Sequence, residues 1–132
     1  MIRLDMKRFL LAVTVLAVLL AACGGEPAAS ASEVCLAPVD GVITLSADNL
    51  QFNANCLELP AGAEVTISFT NLDTEAHNLA IYTDDTTDTQ LWIGDIISAG
   101  ESVDYTVPAL DAGTYYFECN VHPAMNGVVR VS

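Results

Sequence analysis

The stretch Tyr115–Val131, YYFECNVHPAMNGVVRV, reads as two β-strands joined by a short loop. Tyr115, Phe117 and Cys119 fall two apart and so share one face of an extended strand. Two aromatics mark that face as the core side, which aims Cys119 inward at the strand's end. Gly127 to Val131 supplies the next strand. Between them, Cys119, His122 and Met125 bring a thiolate, an imidazole and a thioether onto one loop. Soft sulfur donors favour copper, and two histidines with one cysteine and a weak axial methionine make a site suited to electron transfer. The loop holds only one histidine, so the second must come from elsewhere.

Outward from this stretch the pattern stays β. Val42 to Ala47 is a β-prone run after the turn signal Asp40-Gly41. Leu50 to Leu59 holds two short apolar pieces around Asn53 to Asn55, and Pro60-Ala61-Gly62 turns the chain. Glu64 to Thr70 alternates, with Val65, Ile67 and Phe69 inward. His77 to Tyr82 reads as a strand, followed by a polar, acidic loop at Asp84 to Asp88. Leu91 to Ile93 and Ile96-Ile97 are short apolar runs split by Gly94-Asp95. Ser102 to Val107 alternates with Val103, Tyr105 and Val107 inward, and Asp111-Ala112-Gly113 turns into the strand that ends at Cys119. Beyond the N-terminal run, no segment sustains an apolar period of 3.6. Short strands separated by Gly, Pro, Asn and Asp predict an all-β fold, a single Greek-key β-sandwich over residues 33–132.

The second histidine is His77. On a strand from His77 to Tyr82 it shares parity with Leu79 and Ile81 and faces the core at the strand's start. A lone histidine there would be an ordinary hydrogen-bonded core residue. Beside a Cys-x2-His-x2-Met loop it becomes the missing ligand, for past the N-terminal run the chain holds no other histidine and no other methionine.

The segments FTNLDTEAHN (residues 69–78) and YYFECNVHPAMNGVVRV resemble the two copper-binding segments of small blue copper proteins, the cupredoxins of the plastocyanin and amicyanin kind. The resemblance runs over roughly residues 41–132, and the short loop is most similar to amicyanin. It implies one type 1 copper ion held by His77, Cys119, His122 and Met125, the last as a long axial ligand. It implies that Asn78 ties the first histidine segment to the cysteine loop. It also implies that His122, beside Pro123 and Ala124, is partly exposed in an apolar patch and passes the electron. One position departs from the family. Such loops commonly carry proline two residues after the cysteine, where this chain has Val121 and keeps a backbone N–H. That N–H is expected to donate to the Cys119 sulfur and raise the reduction potential.

The same residues limit the rivals. A binuclear copper centre needs a second cysteine four positions from the first, where Tyr115 and Pro123 stand. Oxidases and nitrite reductases need further histidines, so the expectation is an electron carrier and not an enzyme. Copper delivery without electron transfer is the alternative, although methionine-rich or histidine-rich sites are its usual signature. Zinc at His2Cys and an adhesion module with an accidental motif are the remaining rivals.

At the N-terminus, Arg3, Lys7 and Arg8 precede the apolar run Phe9–Leu20, which is too short to span a bilayer and fits a signal peptide. Leu20-Ala21-Ala22-Cys23 resembles the bacterial lipoprotein pattern, which implies a signal over 1–22 and lipidation of Cys23. Several acyl chains would anchor the chain stably where one is marginal. Residues 23–32 have the small, flexible composition of a tether. The expected location is extracytoplasmic, lipid-anchored to a bacterial membrane. Of the remaining cysteines, Cys35 and Cys56 are the natural disulfide pair, worth about 3 kcal/mol if formed, and two free buried thiols are the alternative.

The full chain carries four Lys plus Arg against seventeen Asp plus Glu, a net charge of −13. Without the signal, Arg130 is the one basic residue left. Such a surface repels nucleic acid and anionic membrane. It would steer a redox protein with a basic docking surface, such as a cytochrome or an oxidoreductase, in a salt-dependent manner. A monomer is expected. A solubilising role for the acidic surface is the other reading.

Overall fold

The fold rests on β5 (Val65–Asn71), whose alternating residues Val65, Ile67 and Phe69 are all buried. In the computed structural model, which describes residues 32–132, β5 is flanked by β2 (Val42–Asp48) in parallel and β8 (Ser102–Val107) antiparallel. The short β3 (Gln51–Phe52) adds to β2, giving a four-stranded sheet in the order β3-β2-β5-β8. The second sheet has six strands, β1 (Cys35–Leu36), β4 (Cys56–Leu59), β10 (His122–Val131), β9 (Gly113–Cys119), β6 (Ala80–Tyr82) and β7 (Gln90–Ile93), in that order. The chain passes repeatedly from one sheet to the other, which is Greek-key wiring in a β-sandwich, as the pattern predicts.

The core lies between the sheets. Ile43, Leu45, Ile67, Phe69 and Val107 come from one side and Leu57, Ile81, Phe117 and Val129 from the other, all fully buried. Phe52 bridges them, with ring centroids 6.1 Å from Phe69 and 5.6 Å from Phe117, within the range of favourable aromatic contacts. The Cys35–Cys56 disulfide is formed and fastens the edge strand β1 to β4. Arg130, one strand over on β10, donates to both sulfurs at 3.4 Å and to both carboxylate oxygens of Glu33. The alternative of two free thiols is thereby set aside, and among the described residues Cys119 is the free cysteine. The signal segment 1–22, Cys23 and the tether up to residue 31 lie outside the described residues.

Two strand boundaries differ from the sequence pattern. The strand expected from His77 begins only at Ala80. His77 instead makes an isolated antiparallel bridge with Ile97, each N–H donating to the other's carbonyl. The last strand, expected from Gly127, begins at His122, because His122 already pairs with Cys119 across a two-residue turn. Periodicity signals neither change, since the first comes from pairing with a distant residue and the second from a tight turn that lets the two strands pair up to their ends.

Gly127 marks where β10 passes the loop before β4. A Cβ there would collide with the backbone carbonyl of Asn55, which accepts the Val128 N–H at 3.0 Å. Gly127→Ala must therefore strain that bond or push the two strands apart. The expected cost is about 2 kcal/mol in chemical denaturation, and a variant as stable as the parent would contradict the close packing described.

Candidate metal centre

Sheet register brings the two predicted segments together. β6 and β9 run antiparallel with Ala80 opposite Glu118, so the residues just before β6 lie beside those just after β9. The segment of His77 and Asn78 is thus placed against Cys119 and Asn120. Asn78 locks the two together. Its Oδ1 accepts the Asn120 N–H at 2.9 Å, while its Nδ2 donates to Asn120 Oδ1 at 2.9 Å and to the Gly94 carbonyl at 3.0 Å. Asn120 Nδ2 continues the network by donating to the Tyr82 hydroxyl.

The Cys119–His122 pair closes a tight turn at Asn120-Val121, and the next ladder pair is Glu118 with Asn126. Pro123, Ala124 and Met125 are therefore extra residues on β10 with no partners on β9. Such a bulge re-aims side chains beside a site. Pro123, lacking an N–H, costs no ladder bond there. Asn126 Nδ2 donates to the Pro123 carbonyl at 2.8 Å and closes the excursion. The outcome is that Pro123 and Ala124 are exposed while Met125 returns to the core at 3% exposure.

Three donor atoms converge. His77 Nδ1 lies 3.1 Å from His122 Nδ1 and 3.7 Å from Cys119 Sγ, and the three ligand atoms all fall within 4.8 Å of one another. His77 and Cys119 are fully buried, and His122 is half-buried. Two ring nitrogens and a sulfur turned on one point, with a buried thioether on the same loop, form a donor set that fits a single soft or borderline metal ion.

The far nitrogen of His77 is also held. Nε2 lies 3.1 Å from Asp73 Oδ2. Asp73 accepts further N–H bonds from Leu50 at 2.7 Å and Thr74 at 2.7 Å. The Leu50 bond, more than those of Thr74 and His77, holds its carboxyl at about 2, below the usual 3.8. Asn71, fully buried, shapes the loop that carries Asp73: its Oδ1 accepts the Asp73 N–H, and its Nδ2 donates to the carbonyls of Glu75 and Ile97. The sequence pattern marks Asn71, Asp73 and Asn120 only as polar loop residues, and no spacing rule singles them out.

The expected bond from the Val121 N–H to Cys119 Sγ is not formed among the described residues. The turn that pairs Cys119 with His122 leaves Val121 at its outer corner, 45% exposed. The Asn120 N–H, in the same turn, donates to Asn78 Oδ1.

A family model described as a cupredoxin-like domain matches residues 12–131. The chain belongs to the cupredoxin-like family. No curated protein matches it closely enough to add to that. Among solved structures, the cupredoxin-like chain is similar to a dithionite-reduced auracyanin from the photosynthetic bacterium Roseiflexus castenholzii, with 22% identity over 70% of this chain and 97% of that one, TM-score 0.62. It is also similar to auracyanin A, a "blue" copper protein of Chloroflexus aurantiacus, with 22% identity over 69% and 98% of the two chains, TM-score 0.60. A reduced mutant of amicyanin matches with 25% identity over 72% of this chain and 86% of that one, TM-score 0.53. At these identities the auracyanin likeness concerns the fold.

Asn78 makes three hydrogen bonds, one buried and two part-buried, so Asn78→Ala leaves the Gly94 carbonyl and both Asn120 groups without their partner. Orphaned buried groups cost about 1–3 kcal/mol each. We expect the metal-free variant to lose about 3 kcal/mol in denaturant titration. A loss below about 1 kcal/mol would mean that Asn78 does not hold the two segments together.

Proposed function

We propose that this chain is a single-electron carrier built on one type 1 copper ion, tethered outside the cytoplasm and not an enzyme. The observation that carries the reading is the convergence of His77 Nδ1, His122 Nδ1 and Cys119 Sγ with Met125 on the same loop. Copper bound there would supply a one-electron Cu(II)/Cu(I) couple.

The residues supply the rest. His77 and Cys119 are buried on separate segments joined by the Asn78–Asn120 bonds, so neither has room to move when the charge changes. Met125 offers its thioether from within the core. His122 is the most exposed of the four, and it reaches the surface between Val121 and Pro123, both exposed. Leu50, Leu72 and Ile96 are exposed apolar residues on the segments that flank His77. The exposed Val121, Pro123 and Ala124 beside the partly exposed His122 suit brief, close contact with a redox protein.

Charge favours a basic partner. Among the described residues Arg130 is the one Lys or Arg, and it is engaged by Glu33. A cytochrome or oxidoreductase with a basic face would be steered to such a surface, faster at low salt. The Leu20-Ala21-Ala22-Cys23 motif supports anchoring through Cys23, and the disulfide suits an oxidising, extracytoplasmic compartment.

Titrating the purified metal-free protein with Cu(II) is expected to give one intensely blue copper complex per chain. Cys119→Ser is expected to abolish the colour, because the thiolate supplies it. A colourless complex, or a Cys119→Ser protein as blue as the parent, would overturn the reading.

A further inference from the structure

Asp73 is not among the ligands, yet it stands directly behind one. Its Oδ2 faces His77 Nε2 at 3.1 Å, while the opposite ring nitrogen, Nδ1, faces Cys119 Sγ and His122 Nδ1. His77 is fully buried. The carboxylate is itself fixed on both oxygens, Oδ2 by the Leu50 N–H at 2.7 Å and Oδ1 by the Thr74 N–H at 2.7 Å, and its own N–H is held by Asn71 Oδ1 at 3.0 Å. The Leu50 bond comes from the β2–β3 turn, where Asn49 and Leu50 both take left-handed φ values of 50° and 56°. Asparagine takes such values readily and leucine seldom does, and the bond to Asp73 is part of what holds Leu50.

An ionised carboxylate only accepts hydrogen bonds. In the neutral imidazole the single proton then sits on Nε2, which leaves Nδ1 as a bare lone pair facing Cys119 Sγ and His122 Nδ1. A carboxylate behind a ligating imidazole fixes tautomer and ring orientation and raises the basicity of the ligating nitrogen. We propose that Asp73 is a positioning residue for His77, and that it tunes the site toward the oxidised ion. A more basic nitrogen helps Cu(II), the harder ion, more than Cu(I), so the carboxylate lowers the reduction potential. This rests on the copper reading above, and it adds a residue that neither the ligand motif nor the resemblance singles out.

The experiment compares the parent with Asp73→Asn, which keeps an oxygen acceptor of the same size but no charge, and with Asp73→Ala. In the metal-free parent at neutral pH, 15N NMR of His77 is expected to show the Nε2–H tautomer, and Asp73→Ala is expected to lose that preference. In the copper-loaded proteins, Asp73→Asn is expected to bind Cu(II) about 10–100-fold more weakly, to change less toward Cu(I), and so to have a higher reduction potential while staying blue. A role in loop stability alone would weaken both oxidation states alike and leave the potential unmoved, and that result overturns the proposal. An Nδ1–H tautomer in the metal-free parent overturns it as well. A parent protein that never turns blue with copper would instead sink the functional reading, and the NMR result would still decide the role of Asp73.

Discussion

The hydrogen bonds between Asn78 and Asn120 are the constraint on which the site depends. They join two segments 42 positions apart in sequence, one carrying His77 and the other Cys119. All the candidate donors but His77 sit on one hairpin, so these bonds decide whether the set is complete. Sheet register does the coarse work by laying β6 antiparallel to β9. The amide pair does the fine work, because a buried amide that can both donate and accept leaves little freedom of position. A third anchor to the Gly94 carbonyl extends the frame to the end of β7.

This frame explains how a cysteine sulfur and two imidazoles are held close together. The donors come from strand ends and a bridge, not from free loops. His77 is pinned through its backbone by Ile97 and through its ring by Asp73. Cys119 is the last residue of β9, and His122 the first of β10. Met125 is turned inward by a bulge that the Asn126–Pro123 bond closes. Each donor thus has an identifiable restraint, which is what small rearrangement on electron transfer requires.

Much of this was legible in the residues. Alternation at Val65, Ile67 and Phe69 and at Tyr105 and Val107 marks the core faces of β5 and β8, and both are buried as expected. The parity of Tyr115, Phe117 and Cys119 correctly turns the cysteine inward. His77 is legible as a candidate ligand only through the company of the Cys-x2-His-x2-Met loop and the family likeness, since one buried histidine has a plain structural reading. What stayed hidden depends on contacts between distant residues. Asp73 is a loop carboxylate like several others in this acidic chain until Leu50 and His77 close on it. Asn120 follows the cysteine as an ordinary turn residue until Asn78 meets it. The Val121 N–H had a plausible target within the loop, but the Cys119–His122 pairing turns that residue outward. Local pattern reports faces and turns, and it does not report which polar groups satisfy one another across the fold.

The central claim is that one preformed frame presents all four donors to a single copper and holds them in both oxidation states. Crystal structures of the copper-loaded protein, oxidised and reduced, test it most directly. The account predicts one copper contacted by His77 Nδ1, Cys119 Sγ, His122 Nδ1 and the Met125 sulfur, with the Asn78–Asn120 and Asp73–His77 bonds intact and the ligand side chains in the same rotamers in both states. Copper bound at other residues, or a His77 ring that swings away from Asp73 on reduction, would contradict it.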